Sequence, residues 1–124
     1  MSGARHRRRS PEAQIQRAVF QHLRARGAPG VFAFHPANGG YRKPIEAAIL
    51  KGLGVVAGVP DVFAIHKGHV FALELKAEGG RATDKQVACI TALRQAGATA
   101  DVAEGLDRAL ACLEGWGLLR GHTS

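Results

Sequence analysis

The sequence has few of the residues that mark disulfide-rich, zinc-binding or membrane-spanning proteins. Its two cysteines, Cys89 and Cys112, lie far apart in helix-like stretches, which is typical of reduced thiols in a cytoplasmic protein. Its six scattered histidines form no zinc-ligand cluster with them. The longest stretch without a charged residue, Gly27–Tyr41, contains two prolines and is shorter than the roughly 18 apolar residues of a membrane-spanning helix. No apolar stretch follows the basic N-terminus, so we expect no secretory signal.

Acidic residues are scarce in the first half of the chain. Residues 1–62 hold ten Lys or Arg and three Asp or Glu, whereas residues 63–124 hold seven of each, so the net charge of +7 belongs to the first half. Residues 1–10 carry four of these positive charges and no core-forming residue. We predict a flexible basic arm there, which is either solvated or in contact with phosphate when a nucleic acid is bound.

The remaining sequence is typical of one small α/β domain. Hydrophobic residues make up 46% of the 124 residues and charged residues 22%, which matches an ordinary globular chain. Helix-start signals stand at Ser10-Pro11-Glu12 and at Thr83-x-x-Gln86. The predicted order of elements is αβ(α)ββαβα, which indicates a mixed sheet flanked by helices. The predicted elements are a helix from Pro11 to about 26, a strand at 31–34, a short helix at 44–52, strands at 61–66 and 69–76, a helix from 83 to about 96, a strand at 98–103 and a helix at 105–115.

A β-hairpin gives the sharpest local prediction. Two β-type runs, Asp61–His66 and His69–Lys76, are separated only by Lys67-Gly68, and a two-residue loop with glycine second suits a type I′ turn. This loop pairs the two strands so that Asp61 lies opposite Glu74. Like charges placed directly across a ladder are destabilising, so two facing acids need a reason.

Lys76 projects from the same face of the predicted strand as Glu74, because side chains alternate along a strand. One interpretation is a solvated face on which Lys76 neutralises the two acids. The other is a site for a hard cation, since Mg²⁺ is usually held by one or two carboxylates together with water and substrate phosphate. The opposite face of the strand is predicted to enter the core with Phe71, Leu73 and Leu75.

Two further polar residues are predicted to point toward this patch. Glu12 lies on the side of the first helix that should meet the sheet, and Gln86 lies in the first turn of a later helix. Each also has a simpler interpretation. Glu12 complements the positive end of its helix, and Gln86 completes a capping box with Thr83.

Taken in order, the motifs resemble those of the PD-(D/E)xK nucleases, and more closely their VRR-NUC branch. The resemblance covers roughly residues 11–104 and implies a restriction-endonuclease-like α/β fold with an αβββαβ core and a mixed central sheet. It also implies a single nuclease domain at 11–116, between the arm and a C-terminal tail at 117–124. The motifs are Glu12-x-x-x-Gln16, Asn38-Gly39-Gly40, Gly58-Val59-Pro60-Asp61, Leu73-Glu74-Leu75-Lys76 and Gly79-Gly80-Arg81 before Gln86.

The resemblance assigns roles to these residues. Asp61, Glu74, Glu12 and the backbone carbonyl of Leu75 would bind Mg²⁺ or Mn²⁺. Lys76 would orient or activate the attacking water, and Gln86 would be the helix glutamine of the pattern. Hydrolysis would leave a 5′-phosphate.

Positive charge away from the acids is predicted to bind DNA. The candidates lie before the short helix or within it: Asn38, Tyr41, Arg42, Lys43 and Lys51. In relatives the residues just before this asparagine are often more basic than those of the His35-Pro36-Ala37-Asn38 segment in this chain. A tyrosine in a surface turn is the simpler interpretation of Tyr41. No base-reading motif is present, so we expect recognition of DNA shape more than of sequence.

The expected activity is therefore that of a divalent-metal-dependent DNA endonuclease selective for branched DNA such as four-way junctions. The resemblance favours a stand-alone phage or prophage form. It implies a homodimer that acts in the cytoplasm of a bacterium or an infected host. Two alternatives remain open. One is a non-catalytic basic nucleic-acid-binding protein on a decayed nuclease fold, and the other is a sequence-specific restriction-type or homing-type nuclease.

Overall fold

A computed structural model describes residues 10–37 and 43–121. Eight elements follow one another in the predicted order, and the four strands form one mixed sheet in the order β1-β2-β3-β4. β1 and β3 both pair antiparallel with β2, and β4 pairs parallel with β3. The elements are α1 (Pro11–Arg26), β1 (Phe32–Phe34), α2 (Pro44–Gly52), β2 (Val62–His66), β3 (His69–Lys76), α3 (Asp84–Gln95), β4 (Thr99–Glu104) and α4 (Leu106–Gly115).

Local signals begin the two longest helices where the sequence predicts them. The Ser10 hydroxyl accepts a hydrogen bond from the backbone N–H of Ala13 at 3.0 Å, and proline occupies the first helical position of α1. α3 begins with a reciprocal capping box between Thr83 and Gln86. Both arrangements satisfy N–H groups that have no partner within a helix.

The hairpin has the predicted register. His66 lies opposite His69 and Val62 opposite Leu73. The two turn residues, Lys67 and Gly68, both have positive φ angles of 53° and 79°, as a type I′ turn requires. One boundary differs from the prediction, which places Asp61 inside the strand. β2 begins at Val62 because the Asp61 carboxylate accepts a hydrogen bond of 3.0 Å from the backbone N–H of Leu75.

Two layers of helices cover the sheet. The larger core lies between α1, α4 and the sheet face that carries Leu73 and Leu75, with Phe71 packed beside it, as predicted. A smaller core under α3 contains Ala72, Ile90 and Ala100. Leu118 and Leu119, in the segment expected as a tail, are buried in the larger core, where Leu119 bridges to Gly27. The packed part of the chain therefore extends past residue 116.

α2 differs from the other helices because it packs so little. Residues 44–49 are all exposed, and only Leu50 in its last turn is half-buried. Ile45, Ile49 and Leu53, at 60–76% exposure, form an apolar stripe along it. Within the described parts of the chain, no helix is long and apolar enough to cross a membrane.

Candidate active site

The end of the hairpin opposite its turn brings Asp61 and Glu74 together. Asp61 stands just before β2, and its Oδ2 lies 3.0 Å from the backbone nitrogen of Leu75. Because the N–H and C=O of one strand residue point to the same edge, the Leu75 carbonyl faces the Asp61 side of β3 as well. The backbone of β3 thus positions the first carboxylate of the site.

Glu74 is almost completely buried, with 2% of its surface exposed. Its Oε2 accepts a hydrogen bond from Gln86 Nε2 at 3.0 Å, whereas its Oε1 is buried without a hydrogen-bond partner among the described residues. Burial, followed by the negative charge of Asp61, raises the pKa of Glu74 from 4.5 to about 8. A carboxylate in this position strongly favours a nearby cation.

Lys76 supplies one positive charge and is itself 7% exposed. Its Nζ lies 3.6 Å from Glu74 Oε2 and 3.9 Å from Glu12 Oε2. Glu12 and Glu74 thus flank the ammonium, and the first turn of α1 meets the end of β3. The interpretation of this patch as a solvated face is wrong for Glu74 and Lys76, because α1 and α3 leave them little contact with water.

Gln86 has both of the roles that the sequence suggested as alternatives. Its backbone N–H donates to Thr83 Oγ1 at 3.2 Å, and its Oε1 accepts the Thr83 N–H at 2.8 Å, which completes the capping box. Its Nε2 remains available and donates to Glu74. The cap holds the amide so that its donor faces the buried carboxylate.

Two residues that sequence reasoning did not assign to the site also contact its loops. The Nδ1 of His35 donates to the backbone carbonyl of Asp61 at 2.7 Å. Gly58 has a φ of +79°, and a Cβ built there would lie 2.6 Å from the backbone carbonyl carbon of Lys85. The Gly58 contact holds the Gly-x-Pro-Asp loop against the start of α3. The glycine within that motif was a usable signal, whereas no local pattern links His35 to Asp61.

The residues present fit a divalent cation of the Mg²⁺ type. Asp61 and Glu74 offer two carboxylates, and the unpartnered Oε1 of Glu74 is a buried oxygen that lacks a donor. Across the described parts of the chain, no three His, Cys, Asp or Glu side chains are arranged as a metal-binding cluster. Mg²⁺ needs no such cage, since one or two carboxylates, water and substrate phosphate usually hold it.

A cleft of about 930 Å³ opens beside Asp61. Its lining comes from α2 and the loop after it and from α3, and includes Asp61 and Gln86. Of the predicted DNA-binding residues, Lys51 lines this cleft. Lys43 precedes α2, where its backbone N–H donates to Glu46 Oε1 at 3.3 Å, and Asn38, Tyr41 and Arg42 lie outside the described residues.

Solved structures share this architecture. A VRR_NUC domain protein superposes with a TM-score of 0.66 at 24% sequence identity, over 88% of this chain and 89% of that one. A second VRR_NUC domain gives a TM-score of 0.60 at 17% identity, over 87% of this chain and 99% of the other. The chain has the fold of the VRR_NUC domain.

The predicted resemblance and the predicted restriction-endonuclease-like fold class are thereby confirmed at the level of the VRR_NUC fold. Hjc, a Holliday junction resolvase from Archaeoglobus fulgidus, aligns with a TM-score of 0.48 at 23% identity, over 77% of this chain and 69% of that one. A comparison with protein-family models finds no match, and neither does one with curated protein sequences.

Proposed function

We propose that the protein is a divalent-metal-dependent DNA endonuclease that hydrolyses phosphodiester bonds in branched DNA. The observation that carries this proposal is the buried Glu74 carboxylate, whose Oε1 has no hydrogen-bond partner among the described residues, next to Asp61 and Lys76. Burying one carboxylate beside a second is costly unless a cation joins them. A basic DNA-binding protein without catalysis has no use for such a pair near phosphate.

Each residue has a distinct task in this proposal. Asp61 and Glu74 would bind Mg²⁺ or Mn²⁺ with the carbonyl of Leu75, which faces the same edge of β3. A cation held there lowers the pKa of a bound water and shields the phosphoryl charge. Glu12 completes the acidic cluster and neutralises Lys76 in the absence of DNA.

Lys76 and Gln86 orient the reacting groups. The Lys76 ammonium lies 3.6 Å from Glu74, close enough to hold an attacking water or to neutralise charge on the phosphate. Gln86 donates to Glu74 at 3.0 Å and thereby holds its carboxylate in one orientation. Both side chains depend on rigid elements, β3 and the capped start of α3, which suits catalysis by positioning.

The test is cleavage of a labelled panel of four-way junction, flap and linear duplex with Mg²⁺ or Mn²⁺. We expect metal-dependent cleavage that favours the branched substrates. Glu74→Ala and Lys76→Ala should each lower the rate by at least about 100-fold, as loss of catalytic acid–base or charge-stabilising groups commonly does. Glu78→Ala and Lys67→Ala are matched controls at exposed positions and should cleave like the parent protein.

Absence of metal-dependent cleavage on every DNA in the panel contradicts the proposal. DNA binding that is equally tight with metal and in EDTA, with no cleavage when metal is present, identifies the non-catalytic alternative. Cleavage at one duplex sequence identifies a restriction-type or homing-type enzyme.

We also propose that the protein is a homodimer, because the exposed stripe of Ile45, Ile49 and Leu53 suits a protein interface. We propose a cytoplasmic location because both cysteines are free. Light scattering measures the oligomeric mass directly.

A further inference from the structure

The cleft beside Asp61, which we call the α2–α3 groove, has the wrong chemistry for a channel that contacts phosphate alone. Its walls are mainly apolar and include Leu50 and Val55 as well as Ala88 and Ala92 of α3. A DNA backbone is charged and hydrated, so it gains nothing from such walls. An apolar surface next to a phosphodiesterase site instead suits a part of the substrate that is flat and poorly hydrated.

The charges at the groove favour an anionic ligand. Lys51 of α2 and Lys85 of α3 are exposed and line it, and its acidic lining residue, Asp61, belongs to the site that we propose for metal binding. A ligand with an apolar body and a phosphate at the metal site satisfies both features. A nucleotide has this composition.

The groove is also too small for duplex DNA, although about 930 Å³ is ample for a nucleotide. In a duplex the faces of every base are stacked, and only the base edges can be contacted in the grooves. Apolar walls can meet the face of a base only when that base is unpaired and turned out of the stack. Such extrusion costs least at bulges and flaps, where the base has already lost its partner.

His35 provides a flat surface beside Asp61 in the groove. It lines the groove, and its Nδ1–H donates to the Asp61 carbonyl at 2.7 Å, which holds the imidazole ring next to the proposed metal site. A ring already held in place loses little entropy when a base stacks on it. Histidine is among the side chains on which unstacked bases rest in nucleic-acid complexes.

We propose that the α2–α3 groove binds the base of an unpaired nucleotide that lies next to the scissile phosphate. This inference rests on the proposed nuclease function and specifies its substrate, because it makes an extruded base, and not the branch alone, the feature that the protein recognises.

The test combines a substrate change with a protein change in EDTA, so that binding is measured without cleavage. Fluorescence anisotropy compares a labelled duplex that carries a one-nucleotide bulge with the same duplex that carries an abasic site in the bulge. The parent protein should bind the natural bulge roughly tenfold more tightly, which is a typical contribution of one stacked base. Ala88→Leu, which fills the groove one turn after Lys85, should reduce this preference to less than about twofold.

Thr91→Leu is the matched control, because it makes an aliphatic addition at an exposed position of α3 outside the groove, and it should keep the full preference. Equal binding of both bulges by the parent protein overturns the inference, as does binding of neither or an unchanged preference in Ala88→Leu. A variant that alters the oligomeric mass but not the preference shows that a second copy occupies the groove, which also overturns it. Cleavage in the separate assay with Mg²⁺ or Mn²⁺, without base preference in EDTA, leaves the nuclease function standing and overturns this inference alone. Base preference without cleavage in any metal contradicts the nuclease function, and with it the placement of the base next to a scissile phosphate.

Discussion

At Glu74 the fold buries an ionisable group, and the burial favours its neutral form. Burial raises the pKa of this carboxyl from 4.5 to about 8, so between these pH values the folded protein binds more protons than the unfolded chain. The stability that comes from protonated Glu74 is therefore fully present below pH 4.5 and is lost as the pH rises toward 8. Metal-free protein should thus become less stable across this range.

Glu74→Gln should remove this pH dependence, because the amide resembles the protonated carboxyl and does not titrate. In EDTA, we expect the variant to exceed the parent protein in unfolding free energy by roughly 2–4 kcal/mol at pH 8, with the difference vanishing near pH 4.5. Urea denaturation at pH 5, 6.5 and 8 measures it. The exposed Glu78→Gln should follow the parent at each pH, and a constant difference for Glu74→Gln would show that desolvation of the carboxylate is not the cause.

Single residues also show how far sequence reasoning reaches. The shared face of Glu74 and Lys76 follows from strand alternation alone, and that prediction needed no knowledge of the rest of the chain. Their burial could not be predicted in the same way, because α1 and α3 cover them from distant parts of the sequence. The bond between His35 and Asp61 joins residues 26 positions apart and leaves no periodic signal.

At the scale of elements, the site depends on how closely the Gly58–Asp61 loop approaches α3. Gly58 has a φ of +79°, and a Cβ added to it would lie 2.6 Å from the backbone of Lys85. Gly97, at a φ of +101°, has open space around it. Alanine at either position incurs the left-handed backbone strain of about 1–2 kcal/mol, but only alanine at position 58 collides with another element.

Gly58→Ala should therefore destabilise the protein by roughly 1–3 kcal/mol more than Gly97→Ala, because backbone must move to admit the methyl group. The displaced start of α3 carries Gln86, so the same variant should cleave more slowly and bind Mn²⁺ more weakly. Urea denaturation and titration with Mn²⁺ measure the two effects. If Gly58→Ala and Gly97→Ala lose equal stability and both retain metal affinity, the loop and helix are not coupled in this way.

The elements themselves were predictable where a short-range rule determines them. The two-residue loop Lys67-Gly68 sets the hairpin register, and capping patterns set the starts of α1 and α3. The groove was not predictable, since it depends on α2 standing away from α3. The burial of Leu118 and Leu119 also depends on a distant partner, because the segment pairs with the end of α1 through Gly27.

At the scale of the whole molecule, the uneven charge separates the two tasks of a nuclease. The net charge of +7 comes entirely from residues 1–62, while the acidic site combines Asp61 with the buried Glu74 from the balanced second half. Exchange of condensed counterions for basic side chains makes DNA affinity depend steeply on salt. With about six phosphate contacts, the logarithm of the association constant should fall with a slope near −5 against the logarithm of salt concentration.

The position of the positive charge, and not its total, should determine that slope. The double variant Lys43→Gln with Lys51→Gln removes two charges from the first half, and Lys67→Gln with Arg108→Gln removes two from the second half, so both proteins have the same net charge. We expect the first variant to reduce the slope by about 2 and the second to leave it nearly unchanged, since each lost phosphate contact removes about 0.9. Anisotropy titrations of a four-way junction in EDTA at several salt concentrations measure both slopes. Equal slopes in the two variants would mean that the salt dependence of DNA affinity is determined by the total charge alone. α2 would then have no specific role in binding the phosphates.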